Sequence, residues 1–281
     1  MPSFDTPEAI SVTAHVEAGS IRFSAGNRLD TTVEVQPRDP SKSLDVRAAK
    51  ETEVTYAGGT LIVKTPKPRN ALRRPGVVDV TVGLPTGSDI DLTGSWAQIS
   101  GEGRLGEVKV KNSAGDVRLE ETGPLRLTAS HGAVTVERVE GSAEITTSTG
   151  SVRVGTVEGP AVLKNSHGTT TVGSVLGELR VKGASGDIDI AHARDSVTAT
   201  TAHGSLRVGE VVQGNVQLET SYGAIEIGIR EGTAAWLDAT SSSGQVRNML
   251  PSSEAPANSE SSVKVRARTR YGNIDIIRAK S

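Results

Sequence analysis

A chain of 281 residues with 31 Lys and Arg against 33 Asp and Glu can bury a sizeable core, and its near-balanced charge gives no global pull towards nucleic acid or anionic lipid. The absence of cysteine excludes disulfide staples, thiolate metal sites and a cysteine nucleophile. Globular cores and sugar-binding clefts both lean on aromatic area, and two Phe, two Trp and three Tyr supply little of it, which points to a core of stacked Val, Ile, Leu and Ala.

Taken in chain order, the first residues, Met1 to Val12, show neither the basic start nor the apolar run of a secretory signal. No later stretch approaches the roughly 20 apolar residues that span a bilayer. Read literally, the sequence predicts a cytoplasmic protein, with envelope association left open. Gly19 is flanked by Val12, Ala14, Ile21 and Phe23, and Gly59 is followed by Leu61 and Val63. Residues 1–90 therefore read as an irregular β cap with the first irregular coils. The loop Pro66 to Gly76 is basic through Lys67, Arg69, Arg73 and Arg74.

From residue 91 onwards a period takes over. Glycines recur at 115, 132, 150, 168, 186, 204 and 223, in steps of 17 to 19 residues. Two and four places after each come apolar pairs such as Val117 and Leu119, Val152 and Val154, or Ile188 and Ile190, with polar residues between them. Seven and five places before the glycine the same alternation appears, as in Val108 and Val110 or Leu179 and Val181. Period-two alternation marks a strand with one buried face, so each coil holds two strands about a glycine corner. A second corner follows at Gly123, Gly141, Gly159, Gly177, Gly214 and Gly232, and glycine suits both corners because it accepts positive φ. Two places before the first glycine stand Ser113, Ser130, Ser148, Ser166, Ala184, Ala202, Ser221 and Ser242, small residues that fit a cramped, inward corner.

A sandwich or barrel gives no reason for a fixed period with position-specific small residues. A parallel β-solenoid does, because like residues stack coil on coil about 4.8 Å apart. The expected fold is thus all-β: one continuous domain, with regular solenoid coils of about 18 residues over 91–281. Gly244 and Gly272 continue the register around a polar, Ser- and Pro-rich insertion, a flexible loop at 250–262.

The recurring S-x-G-x-V-x-V units, the run Gly101 to Val110 and the closing Tyr271 to Ile276 resemble the bacterial β-strand-repeat family of adhesin candidates, a domain of unknown function, over nearly the whole chain. The resemblance implies a solenoid of stacked β-coils with a surface role, without an agreed biochemical activity and without catalytic residues to carry over.

His131, His167 and His203 each precede a corner glycine and are spaced by 36 residues. Two coils separate such residues by about 9.6 Å, whereas ligands sharing one zinc must each approach to about 2.0–2.1 Å. No metal site and no cofactor are expected. The same column reads Trp96, Ala114, His131, Thr149, His167, Ser185, His203, Tyr222, Ser243 and Tyr271. Its rings either shelter the corner backbone or form an outward recognition ridge of Trp96, His131, His167, His203, Tyr222 and Tyr271.

An enzyme would need clustered carboxylates with a basic partner in a cleft. Asp187, Asp189 and Arg207, with Asp116 and Arg118, come nearest, at outward strand positions where alternating charge is ordinarily a solvated face. The string Gly101 to Gly106 matches G-x-G-x-x-G without the strand-to-helix setting that gives the motif its meaning. Lys109, Lys111, Arg126, Lys164, Arg180 and Lys182 form a basic stripe, but Glu144 and Glu219 interrupt it and no aromatic interleaves for base stacking, which disfavours nucleic acid. The reading is a non-enzymatic scaffold or interaction module for a protein partner, with self-association through a solenoid end. Its rival is a polysaccharide-binding or polysaccharide-active solenoid at the cell envelope.

Overall fold

In the computed structural model, which describes residues 2–68, 74–250 and 262–279, alternation in the sequence becomes alternation in burial. Along Val108–Ala114 and Val117–Thr122, the apolar residues Val108, Val110, Val117 and Leu119 are buried, while Lys109 and Arg118 between them are exposed. First strands pair in parallel with first strands and second strands with second strands, so both rows turn Val, Ile, Leu and Ala into one interior. Among the described residues helix is confined to about 3%. Arg69 and Arg73 of the basic loop, and residues 251–261 of the Ser/Pro-rich insertion, lie outside the described residues.

Two compact units make up the chain, Met1–Glu140 and Gly141–Ser281. The first is organised by two long strands, Ser11–Gly26 and Asp89–Leu105, which pair in parallel from Ser11 opposite Asp89 to Ser24 opposite Glu102. Ser11–Gly26 also pairs in parallel with Thr60–Lys64 and with Val78–Pro85. Beyond these the direction reverses. Glu53–Ala57 runs antiparallel to Thr60–Lys64, Asp30–Pro37 runs antiparallel to Val78–Pro85, and Ser3–Asp5 runs antiparallel to Asp30–Pro37. On the other side of Asp89–Leu105, coils step away in the expected register, with Leu125 opposite Val108 and Val134 opposite Val117.

One element of this unit is absent from the sequence reading, the helix Ser43–Glu51. Asp45 in its first turn is buried and accepts a hydrogen bond from the Val77 backbone at 2.9 Å, and Arg47 pairs with Glu51 one turn on at 2.7 Å.

The second unit stacks its coils at a step of 18 or 19 residues from Ala143–Thr149 to Gly214–Tyr222, and from Val152–Val157 to Ile225–Ile229. The coil order then departs from chain order. Gly214–Tyr222 pairs with Ser262–Tyr271, and only then does Ala234–Ser243 follow. Gly272 thus lies next to Gly223, and the Gly244 coil is outermost. Apolar content explains the exchange: Val263, Val265, Ala267, Ile274 and Ile276 are fully buried, whereas Ala235, Leu237 and Ala239 are half-buried and Val246 is exposed.

The corners show two reasons for glycine. At Gly186 φ is 137°, and an added Cβ would lie 2.2 Å from the carbonyl oxygen of Gly168 in the coil before it. Gly159 and Gly177 at the second corner do not have positive φ, contrary to the sequence expectation. They are glycine for space alone, since a Cβ would come within 2.7 and 2.8 Å of the preceding coil's backbone.

Candidate functional site

The column just before the corner glycine faces solvent. In the first unit, Trp96 is 67% exposed and His131 is exposed, on either side of Ala114, with which both are in register. In the second unit, the register runs Thr149, His167, Ser185, His203, Tyr222, Tyr271 and Ser243. Three consecutive rungs there carry rings that stack. The His203 and Tyr222 ring centroids lie 5.0 Å apart at 15°, and those of Tyr222 and Tyr271 lie 4.9 Å apart at 6°. Coil spacing imposes that distance, and offset stacking at 4.5–7 Å contributes about 0.5–1.5 kcal/mol per pair beyond burial. Tyr222 and Tyr271 remain 51% and 53% exposed, so stacking leaves the ring edges free. His167 is separated from this stack by the small Ser185.

The inward corner residue is not the one the sequence reading chose. Ser113, Ser148, Ser166, Ala184 and Ser242 are exposed, and Ser130, Ala202 and Ser221 are half-exposed. Strand alternation puts the residue three before the glycine inside, and the chain then turns so sharply that the next two residues both face out. The inside column reads Asn112, Ala129, Thr147, Asn165, Gly183, Thr201, Thr220, Ser241 and Thr269, most of it polar. These side chains cap the corner carbonyls. Asn165 donates from Nδ2 to the Gly150 and Gly168 oxygens at 3.0 and 3.1 Å, and its Oδ1 accepts from Thr147 Oγ1 at 2.9 Å. Asn112 does the same for Ala97 and Gly115, Thr220 for Gly204 and Thr269 for Gly223. The signal was present as repeated Asn and Thr at inward positions of otherwise apolar strands.

The remaining candidates occupy strand faces. Arg207 bonds Glu226 at 3.2 Å and lies 4.0 Å from Asp189, while Asp187 accepts the Ser205 backbone N–H at 2.7 Å. Asp116 and Arg118 border a shallow opening with Arg22 and Gln98, and Asp116 accepts the Ala133 N–H at 2.8 Å. Each carboxylate of the sequence constellation thus has a structural partner. In the basic stripe, Lys109 and Arg180 are held by Glu107 and Glu178, each two residues earlier, at 2.9 and 2.8 Å. Elsewhere, Arg104 holds the Glu140 carboxyl below its ordinary range through a hydrogen bond, and Arg268 and Arg266 do so for Asp238. Among the described residues no three His, Asp or Glu side chains gather to hold a metal ion, and no helix is long and apolar enough to cross a membrane.

The chain is similar to solved bacterial proteins at low identity. A crystallised adhesin candidate of Parabacteroides merdae is 14% identical over 81% of this chain and 94% of its own, with a TM-score of 0.46. One of Bacteroides fragilis is 15% identical over 98% of this chain and 95% of its own, with a TM-score of 0.37. No curated protein matches the chain. The Toastrack DUF4097 family profile matches residues 8–279, nearly the full length, and the chain belongs to that family.

Proposed function

We propose that the protein is a non-enzymatic scaffold whose ring column is a contact surface for a protein partner. The observation that carries this reading is the stack of His203, Tyr222 and Tyr271, ordered at coil spacing yet about half exposed at its two tyrosines. Rings needed only to shelter a corner have no reason to cluster where the corner is already capped from inside by Thr220 and Thr269. Stacking fixes the rings before any partner arrives, and preordered Tyr anchors lose little entropy on binding. The adhesin candidates among the solved relatives are compatible with a surface role.

The test is affinity capture from native-cell extract with the wild type and with a His203→Ser, Tyr222→Ser, Tyr271→Ser variant. A specific protein retained by the wild type and lost from a folded variant is expected. Equal capture by both would remove the column from the account.

A second reading, polysaccharide binding, draws on a different place. Trp236, 69% exposed, edges a shallow groove of about 540 Å³ with Asn215, Gln217, Lys264, Asp238 and Arg266. An exposed indole beside amides and charges suits a sugar ring, and retention on a glycan array abolished by Trp236→Ala would favour it.

A further inference from the structure

The strand Ala234–Ser243 pairs with Ser262–Tyr271, and Val246–Asn248 pairs with Ile274–Arg278; each has that one partner among the described residues. Among the described residues nothing pairs with their outer edges. Elsewhere in this unit inward residues donate their N–H to the following coil, as Leu179 does to Ser196, Leu206 to Ala224 and Ile274 to Gln245. The same phase in Ala234–Ser243 turns the N–H and C=O groups of Ala235, Leu237, Ala239 and Ser241 to the free edge. Behind that edge lies unfinished interior, with Ala235, Leu237 and Ala239 half-buried and Val246 exposed. The usual guards of a sheet edge are missing: the strand has no lysine and no proline, and its one charge, Asp238, is held by Arg266 and Arg268.

We propose that this end pairs with the same end of a second copy. Ala234–Ser243 would run antiparallel to its twin and Val246–Asn248 to its own, about one two-fold axis normal to both strand rows. A partner with a single free strand would satisfy one edge and leave the interior between the rows open. An identical end presents two edges at the same separation and covers Leu237 and Val246 on both sides. Charge permits the pairing: with the strands centred on Leu237 or Ala239, Asp238 faces Trp236 or Thr240, never a second carboxylate, and Arg247 stays neutralised by Asp275 at 2.6 Å. Ser3–Asp5 and Glu53–Ala57, the strands that close one side of the Met1–Glu140 unit, offer no such mate: the first has three residues, the second carries Glu53, and both are antiparallel to their neighbours.

The experiment is light scattering of the full chain over a concentration series. The expected result is a species of twice the 29.2 kDa chain mass that dissociates on dilution. Ala239→Pro removes a free-edge N–H and leaves the bonds to Ser262–Tyr271 intact, and Leu237→Lys buries a charge in the seam. Either variant, with an unchanged circular dichroism spectrum, is expected to be a monomer. A wild type that stays monomeric at the highest soluble concentration, or a dimer that survives both substitutions, overturns the proposal. Mass is read without reference to partner capture, so this result stands apart from that of the ring column.

Discussion

Asn165 shows how one residue can hold a corner. The residue is 2% exposed and satisfies two part-buried carbonyls and one buried hydroxyl. Asn165→Ala strands all three, and leaving buried polar groups unpaired costs about 1–3 kcal/mol each before relaxation. We expect a loss of about 2–5 kcal/mol in urea unfolding, against little change for Ala184→Ser on the exposed side of the same corner. Equal losses would return the corner to the small residues that the sequence first indicated. The reason those residues misled is geometric: strict alternation assigns one residue in and the next out, and it cannot show where a chain turns so that two neighbours both face solvent.

At the scale of elements, what was legible was what repeats. Glycine spacing and period-two alternation specified the strands and their register, because each coil solves the same packing problem as the last. The helix Ser43–Glu51 was not legible, since it occurs once and is held by Asp45 reaching Val77 across 32 residues. Nor was the exchanged order of the last coils, which the strand pairing reveals. Beside the antiparallel strands of the first unit a charge contact ties Arg38, the residue after Asp30–Pro37, to Val78–Pro85. Arg38 hydrogen-bonds Asp79 at 3.2 Å through Nε, Ser20 does so at 2.6 Å, and Arg38 is the larger cause holding the Asp79 carboxyl below its ordinary value, against partial burial. A pKa lower in the folded state stabilises above the unfolded value of about 3.9 and is lost as pH falls through the folded value. Asp79→Asn should therefore lower the melting temperature at pH 7 and hardly at pH 2. An equal drop at both values would assign the effect to packing.

For the whole molecule, membership of the Toastrack DUF4097 family fixes a scaffold without naming a chemistry, and function must be argued from what the scaffold displays. That His203, Tyr222 and Tyr271 share one phase was legible, because a fixed period makes an excess at one phase visible. Their stacking at 4.9–5.0 Å was not, because side-chain direction at the corner had to be known. The division that results is physical: Asn and Thr inside hold the corner, and His and Tyr outside face solvent. The most direct measurement is site-specific photocrosslinking in native cells, with a benzoylphenylalanine at position 222 and, as control, at Lys164 on the outer strand face. The account predicts one discrete adduct from position 222 and none from position 164. Adducts from both, or from position 164 alone, would contradict it.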